Sequence, residues 1–169
     1  MKNFKLLKNM KEIRISESDI LGTVEDSLRY FSGKRASDIG EYYRYAACEA
    51  DRKLLMELIE ESCAWVDYGL GPQGGGYSIK SDDIIFRMGT DDGTVDAVGI
   101  GGQRERTVYT LLRGLIVRRV VWRWLQLAGW KSEESVAREI GEQLSRLLSL
   151  VGGGGSGGVV TGPRYVPPV

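Results

Sequence analysis

The sequence predicts a mainly α protein: a four-helix domain with a small β-containing insertion between the second and third helices, and a flexible C-terminal arm. Three observations carry that class. Apolar residues recur at helical spacing in four separate segments. Between the second and third of these, residues 77–102 change to short apolar runs bounded by glycine and aspartate. After Val151 the chain becomes Gly152-Gly-Gly-Gly-Ser-Gly-Gly158, the composition of a tether. Residues 1–151 are therefore read as the domain and residues 152–169 as the arm.

A short alternating piece, Glu12-Ile13-Arg14-Ile15, precedes the first helix. Ser16 or Ser18 can cap that helix, whose stripe is Ile20, Leu21, Val24, Leu28 and Phe31, with Gly33 ending it. Residues 34–45, with three tyrosines and Gly40, suit a loop or a frayed helix. The second helix runs from about Ala47 to Tyr68, with Leu54, Leu55, Leu58, Ile59, Cys63 and Val66 on one face and a glycine-rich stop from Gly69. In the insertion, Tyr77-Ser-Ile-Lys80 and Ile84-Ile-Phe-Arg-Met88 read as strands. Asp91-Asp92-Gly93 is a turn signal, and residues 95–100 suit a returning strand. The third helix, about Gln103 to Ala128, is apolar on more than one side: Val108, Leu111, Leu112, Leu115, Ile116, Val120, Trp124 and Leu127. Gly129 closes it. Ser132 caps the fourth helix, whose stripe is Val136, Ile140, Leu144, Leu147 and Leu148.

Composition narrows the chemistry. The chain has 169 residues, 42% hydrophobic and 27% charged, which is enough for a core and excludes disorder as its general state. It contains no histidine, which excludes Ser/His/Asp and Cys/His triads and His-ligated metal sites. Two cysteines, Cys48 and Cys63, are too few for a disulfide scaffold; on one helix they stand too far apart to pair and read as small buried side chains. The longest apolar stretch, residues 111–130, carries Arg113, Arg118, Arg119 and Arg123, unlike a membrane span. No signal-peptide core opens the chain. A soluble protein without cofactor or metal is expected.

Net charge is zero, but it is segregated: +4 over residues 1–16, −9 over 17–101 and +5 over 102–169. Folding can mix these regions on one surface. Alternatively, the acidic flank of one subunit meets the basic flank of the next, and head-to-tail contacts of that kind close into rings. The third helix is either the central helix of the domain or an interface helix, where Trp and Arg are enriched. Arg113, Arg118, Trp122 and Arg123 are the candidate interface residues.

Four motifs fail. Asp91-Asp92-Gly93-Thr94 is similar to the loop of haloacid-dehalogenase-like phosphatases, but Thr90 stands at the nucleophile position. Gly99-Ile-Gly-Gly102 lacks the rest of a phosphate-binding loop. Ser135 to Gly141 resembles the opening of a helix-turn-helix, yet the same helical stripe continues to Leu148 and leaves no room for a reading helix. Adjacent acids such as Asp82-Asp83 point apart and nominate no acid/base pair.

Three stretches carry a resemblance. They are Met10-Lys-Glu-Ile-Arg-Ile-Ser-Glu-Ser-Asp-Ile20, Ala50-Asp-Arg-Lys-Leu-Leu-Met-Glu-Leu-Ile-Glu-Glu61, and Val121-Trp-Arg-Trp124 with Lys131-Ser-Glu-Glu-Ser135. With the order of elements, the chain resembles tailed-phage head–tail connector (neck adaptor) proteins, and more closely a set of helical proteins encoded in phage structural clusters of gut bacteria. The resemblance implies a non-enzymatic virion protein, made in the host cytoplasm, that forms a ring in the neck. Such rings are commonly dodecamers. Portal protein, adjacent neck or tail rings and DNA passing through the lumen without sequence recognition are the implied partners, with no membrane. A tail-completion or tail-terminator ring is the alternative within the class, and a small DNA-binding regulator the alternative outside it. The family's short basic C-terminal end is replaced here by the glycine tether and a Val/Pro-rich tip. Val159, Val160, Arg164, Tyr165 and Val166 are the candidate docking arm, and Asp82, Asp83, Asp91 and Asp92 the candidate lumen-facing acids.

Overall fold

A computed structural model describes residues 10–89, 101–131 and 134–151. Strand β1 (Met10–Ser16) leads into helix α1 (Glu17–Arg35), short helix α2 (Ile39–Tyr45) and helix α3 (Arg52–Leu70). A hairpin follows, β2 (Gly74–Lys80) and β3 (Asp83–Gly89), then helices α4 (Gly101–Leu127) and α5 (Glu134–Val151). The protein is thus mainly helical with a small antiparallel sheet; its long helices overlap the four apolar-periodic segments, but the second begins at Arg52 rather than about Ala47, after a 3₁₀ turn at Glu49–Asp51.

The sheet differs from expectation. Its order is β1-β3-β2, so the alternating piece before the first helix pairs with a strand some 70 residues later. Ile13 lies opposite Phe86 and Ile15 opposite Ile84. Alternation sends Ile13, Ile15, Ile84, Phe86 and Met88 inward, all buried. The β structure is therefore not confined to the segment between helices. Residues 91–93 and 95–100 lie outside the described residues.

The β2–β3 hairpin turns at Ser81-Asp82, with Ser81 at φ +56°. This tip caps α1. Asp82 Oδ1 accepts from the Ser18 backbone N–H at 2.8 Å, and Oδ2 accepts from the hydroxyls of Ser16 (2.7 Å) and Ser18 (2.8 Å). Of the two serines, Ser16 is the N-cap, accepting from the Asp19 N–H. An anion at a helix N-terminus interacts favourably with its dipole. Gly33 does not end α1, which continues two residues further to an Ala36 cap.

Ile20, Val24 and Leu28 of α1, Leu55, Leu58, Ile59, Cys63 and Val66 of α3, Leu112, Leu115, Ile116 and Val120 of α4, and Ile140, Leu144 and Leu147 of α5 share one core with the sheet. Each fully buried Leu, Ile or Phe contributes about 1.5–3 kcal/mol of transfer energy. Gly69 lets α3 and α5 approach closely: a Cβ there would stand 2.5 Å from Leu144 Cδ2. Gly129, at φ +85°, ends α4: its N–H bonds the Gln126 carbonyl and the Trp130 N–H bonds that of Leu125. This turn brings Trp130 edge-on to Phe31, centroids 4.9 Å apart. Two expected core residues, Leu54 and Leu127, are instead exposed.

Candidate functional site

The α4 arginines at positions 113, 118, 119 and 123 point to different sides of the helix, toward α1, α5 and α3, and each meets an acid of the same chain. Arg113 donates to Asp19 Oδ2 at 2.6 Å and to Thr23 Oγ1 at 2.7 Å, both on α1. Arg118 donates to Glu139 of α5 at 3.1 Å. Arg119 donates to Glu61 at 3.1 Å and to Ser62 at 3.2 Å, with its guanidinium 5.0 Å over the Trp65 ring. Arg123 reaches the same Glu61 oxygen at 3.0 Å. Arg119 is 9% exposed, so a carboxylate is what makes its burial tolerable. The acidic middle and basic last third of the sequence are thus partly matched within one chain. Trp122 is half-buried against the core, and Trp124 is buried.

The candidate acids divide. Asp82 serves the α1 cap, and its hydrogen bonds from Ser16 and Ser18 hold its pKa below the ordinary carboxylate range. Asp83 stands 3.8 Å from Arg14 across the sheet. Asp91 and Asp92 lie outside the described residues, as do Val159, Val160, Arg164, Tyr165 and Val166 of the arm. Near the Asp82 cap, Glu17 is buried; burial first, then the Asp82 and Glu60 carboxylates, raise its pKa. The Cys63 thiol behind it is pushed up to about 12, mainly by burial. Cys48 is exposed and free. Among the described residues no three Cys, Asp or Glu side chains converge as a metal ion requires. No helix among them is long and apolar enough to cross a membrane.

What sequence reasoning missed is a groove where α2, the start of α3 and the end of α4 meet. Trp124 and Ala128 line it with Tyr43, Arg44, Asp51, Leu54 and Leu127, around a volume of about 220 Å³. The Trp124 Nε1–H donates to the Tyr45 carbonyl at 2.7 Å, and the ring itself is buried. Tyr43 is 71% exposed, Leu127 57% and Leu54 39%. One signal was available: Leu54 and Leu55 are adjacent, and neighbours on a helix cannot both face one narrow stripe.

Family models, curated proteins and solved structures offer no match to this chain.

Proposed function

We propose that this chain is a structural subunit of a tailed-phage neck, forming a ring that joins the portal to the tail and surrounds the passage for DNA. In this reading residues 1–151 are a connector-like domain framed by the four long helices. The hairpin with β1 braces it, and residues 152–169 are its docking arm. The protein acts by assembly and carries out no reaction. The three stretches of resemblance motivate the reading. The structural observation that carries it is the cluster of exposed Tyr43, Leu54 and Leu127 around a groove, since such a surface suits another polypeptide.

Two further observations favour an assembly role over DNA regulation. Helix α5 runs unbroken from Glu134 through Gly141 to Val151, so it is one helix and not a helix-turn-helix. The arginines at 113, 118, 119 and 123 are engaged by acids, which reduces what they offer to phosphates. A wall of hairpin acids along the lumen belongs to the same reading. Imaging that puts the β2–β3 tip on the outside of a ring would end that part.

Sedimentation velocity across concentration, with and without duplex DNA at two salt concentrations, tests the function. Concentration-dependent formation of one large closed species without DNA is expected. A persistent monomer with strongly salt-dependent DNA binding would replace this reading with the regulator.

A further inference from the structure

We infer that the outer edge of β1 is a pairing edge, and that its partner is β1 of a second copy of this chain, antiparallel and centred on Ile13. The inference goes beyond the ring reading. A two-fold contact closes at two copies, whereas a ring is built from head-to-tail contacts.

The two edges of the sheet differ. β3 is central, so β1 and β2 each have one edge that no strand covers among the described residues. The β2 edge is blunted. Its register with β3 shifts between Gly74 and Tyr77. Helix α3 also lies close to it: the Gly76 N–H donates to Asp67 Oδ1 at 3.1 Å, and a Cβ at Gly74 would stand 3.1 Å from Leu70 Cβ. Bulges and covering helices are ways in which sheets discourage edge-to-edge pairing. β1 has no bulge. It pairs with β3 in unbroken register over all seven residues, and it holds no proline or glycine. Alternate N–H and C=O groups of such a strand point outward and can take a further strand.

The sequence of β1 names that strand. Alternation places Ile13 and Ile15 on the core face, and Glu12 and Arg14, both exposed, on the outer face. Antiparallel pairing with a second copy about Ile13 sets Ile13 beside Ile13. It also sets Glu12 of each copy opposite Arg14 of the other. Opposite charges facing each other across a sheet are favourable, and like charges are not. A shift of two residues brings Glu12 opposite Glu12, or in the other direction Arg14 opposite Arg14. A shift of one residue sets the core face of one copy against the outer face of the other. The strand therefore selects one register with itself. Charges on an edge strand ordinarily keep copies apart. Here one charge of each sign, two residues apart, does the reverse, and Lys11 falls opposite Ile15 and not opposite another cation. Within its own chain Glu12 lies 3.6 Å from Arg87, and Arg14 lies 3.8 Å from Asp83. The pairs between copies extend that network with alternating sign.

The contact is small, so the test runs at high concentrations of the full chain. Sedimentation equilibrium should show a dimer. Glu12→Arg and Arg14→Glu should each weaken it about tenfold or more, because each turns both opposite-charge pairs into like-charge ones. Mixing the two variants restores both pairs between unlike copies, and native mass spectrometry should find the mixed dimer in excess of either homodimer. Circular dichroism checks that each variant is folded, since exposed ion pairs of this kind contribute little to stability. A second measurement needs no substitution: in the parent protein, amide exchange at alternate residues of β1 should slow as concentration rises. A monomer at every concentration, a dimer indifferent to both substitutions, folded variants that form no mixed dimer, or β1 exchange independent of concentration would overturn the inference. Larger species are sized in the same samples. Rings without concentration-dependent protection of β1 overturn the inference and leave the ring reading standing. A β1 dimer without rings supports the inference and counts against the ring.

Discussion

Replacing Gly69 with alanine tests the packing of α3 on α5, with the molecule supplying its own control. In a helix, Gly→Ala is worth about 1 kcal/mol of stability by propensity alone. At Gly114 an added Cβ meets nothing within 4 Å, so Gly114→Ala should realise that gain. At roughly 2–4 °C per kcal/mol for a domain of this size, its melting temperature should rise by that amount. At Gly69 the same methyl stands 2.5 Å from Leu144 Cδ2, and Leu144 is buried, so the side chain has little freedom to retreat. Overpacking costs about 1–3 kcal/mol, which cancels or reverses the gain. Leu144→Ala alone should cost about 2–5 kcal/mol. In the Gly69→Ala background it should cost about 1–2 kcal/mol less, because the new methyl occupies part of the vacated space. The assay is urea unfolding of the two single variants, the double variant and the Gly114→Ala control. Equal stabilisation by Gly69→Ala and Gly114→Ala, with strict additivity in the double variant, would refute the close α3–α5 contact.

Glu17→Gln should raise the melting temperature at pH 7. The raised folded pKa of Glu17 means its charged form is penalised, so the gain should vanish as pH falls below the ordinary carboxylate range; a pH-independent gain would remove the burial argument. Asp82→Asn should show the opposite sign. The lowered folded pKa of Asp82 gives stability present above the unfolded value and lost as pH falls through the folded one, so the variant should be weaker at neutral pH and equal to the parent in strong acid. Trp124→Phe should cost about 1–3 kcal/mol in thermal unfolding, because the Tyr45 carbonyl loses its donor. Iodoacetamide at pH 8 should label Cys48 alone in the native protein and both cysteines after denaturation; native labelling of Cys63 would contradict its burial.

The helices were legible because their stripes are local. Ile140, Leu144 and Leu147 repeat within one segment, and period alone assigns their face. The sheet was half legible. Tyr77–Lys80 and Ile84–Met88 read as strands, but β1 needs a partner 70 residues away, and no local pattern names that register. The turn at Ser81-Asp82 has no glycine to announce it, and its Ser81 takes a left-handed conformation that glycine would occupy more easily. Charge segregation was visible, but its use was not: Arg113 meets Asp19 across 94 residues and Arg123 meets Glu61 across 62. The groove was barely legible. Beyond the Leu54-Leu55 adjacency no local pattern marks it, because Leu54 and Leu127 sit near helix ends where seven-residue α2 leaves them uncovered.

The most direct measurement of the central claim is negative-stain imaging of the purified full-length protein, with particle mass followed across concentration. The account predicts closed rings of one size whose fraction grows with concentration. A monomer at every concentration, with a phage portal ring present as template as well as without it, would contradict it.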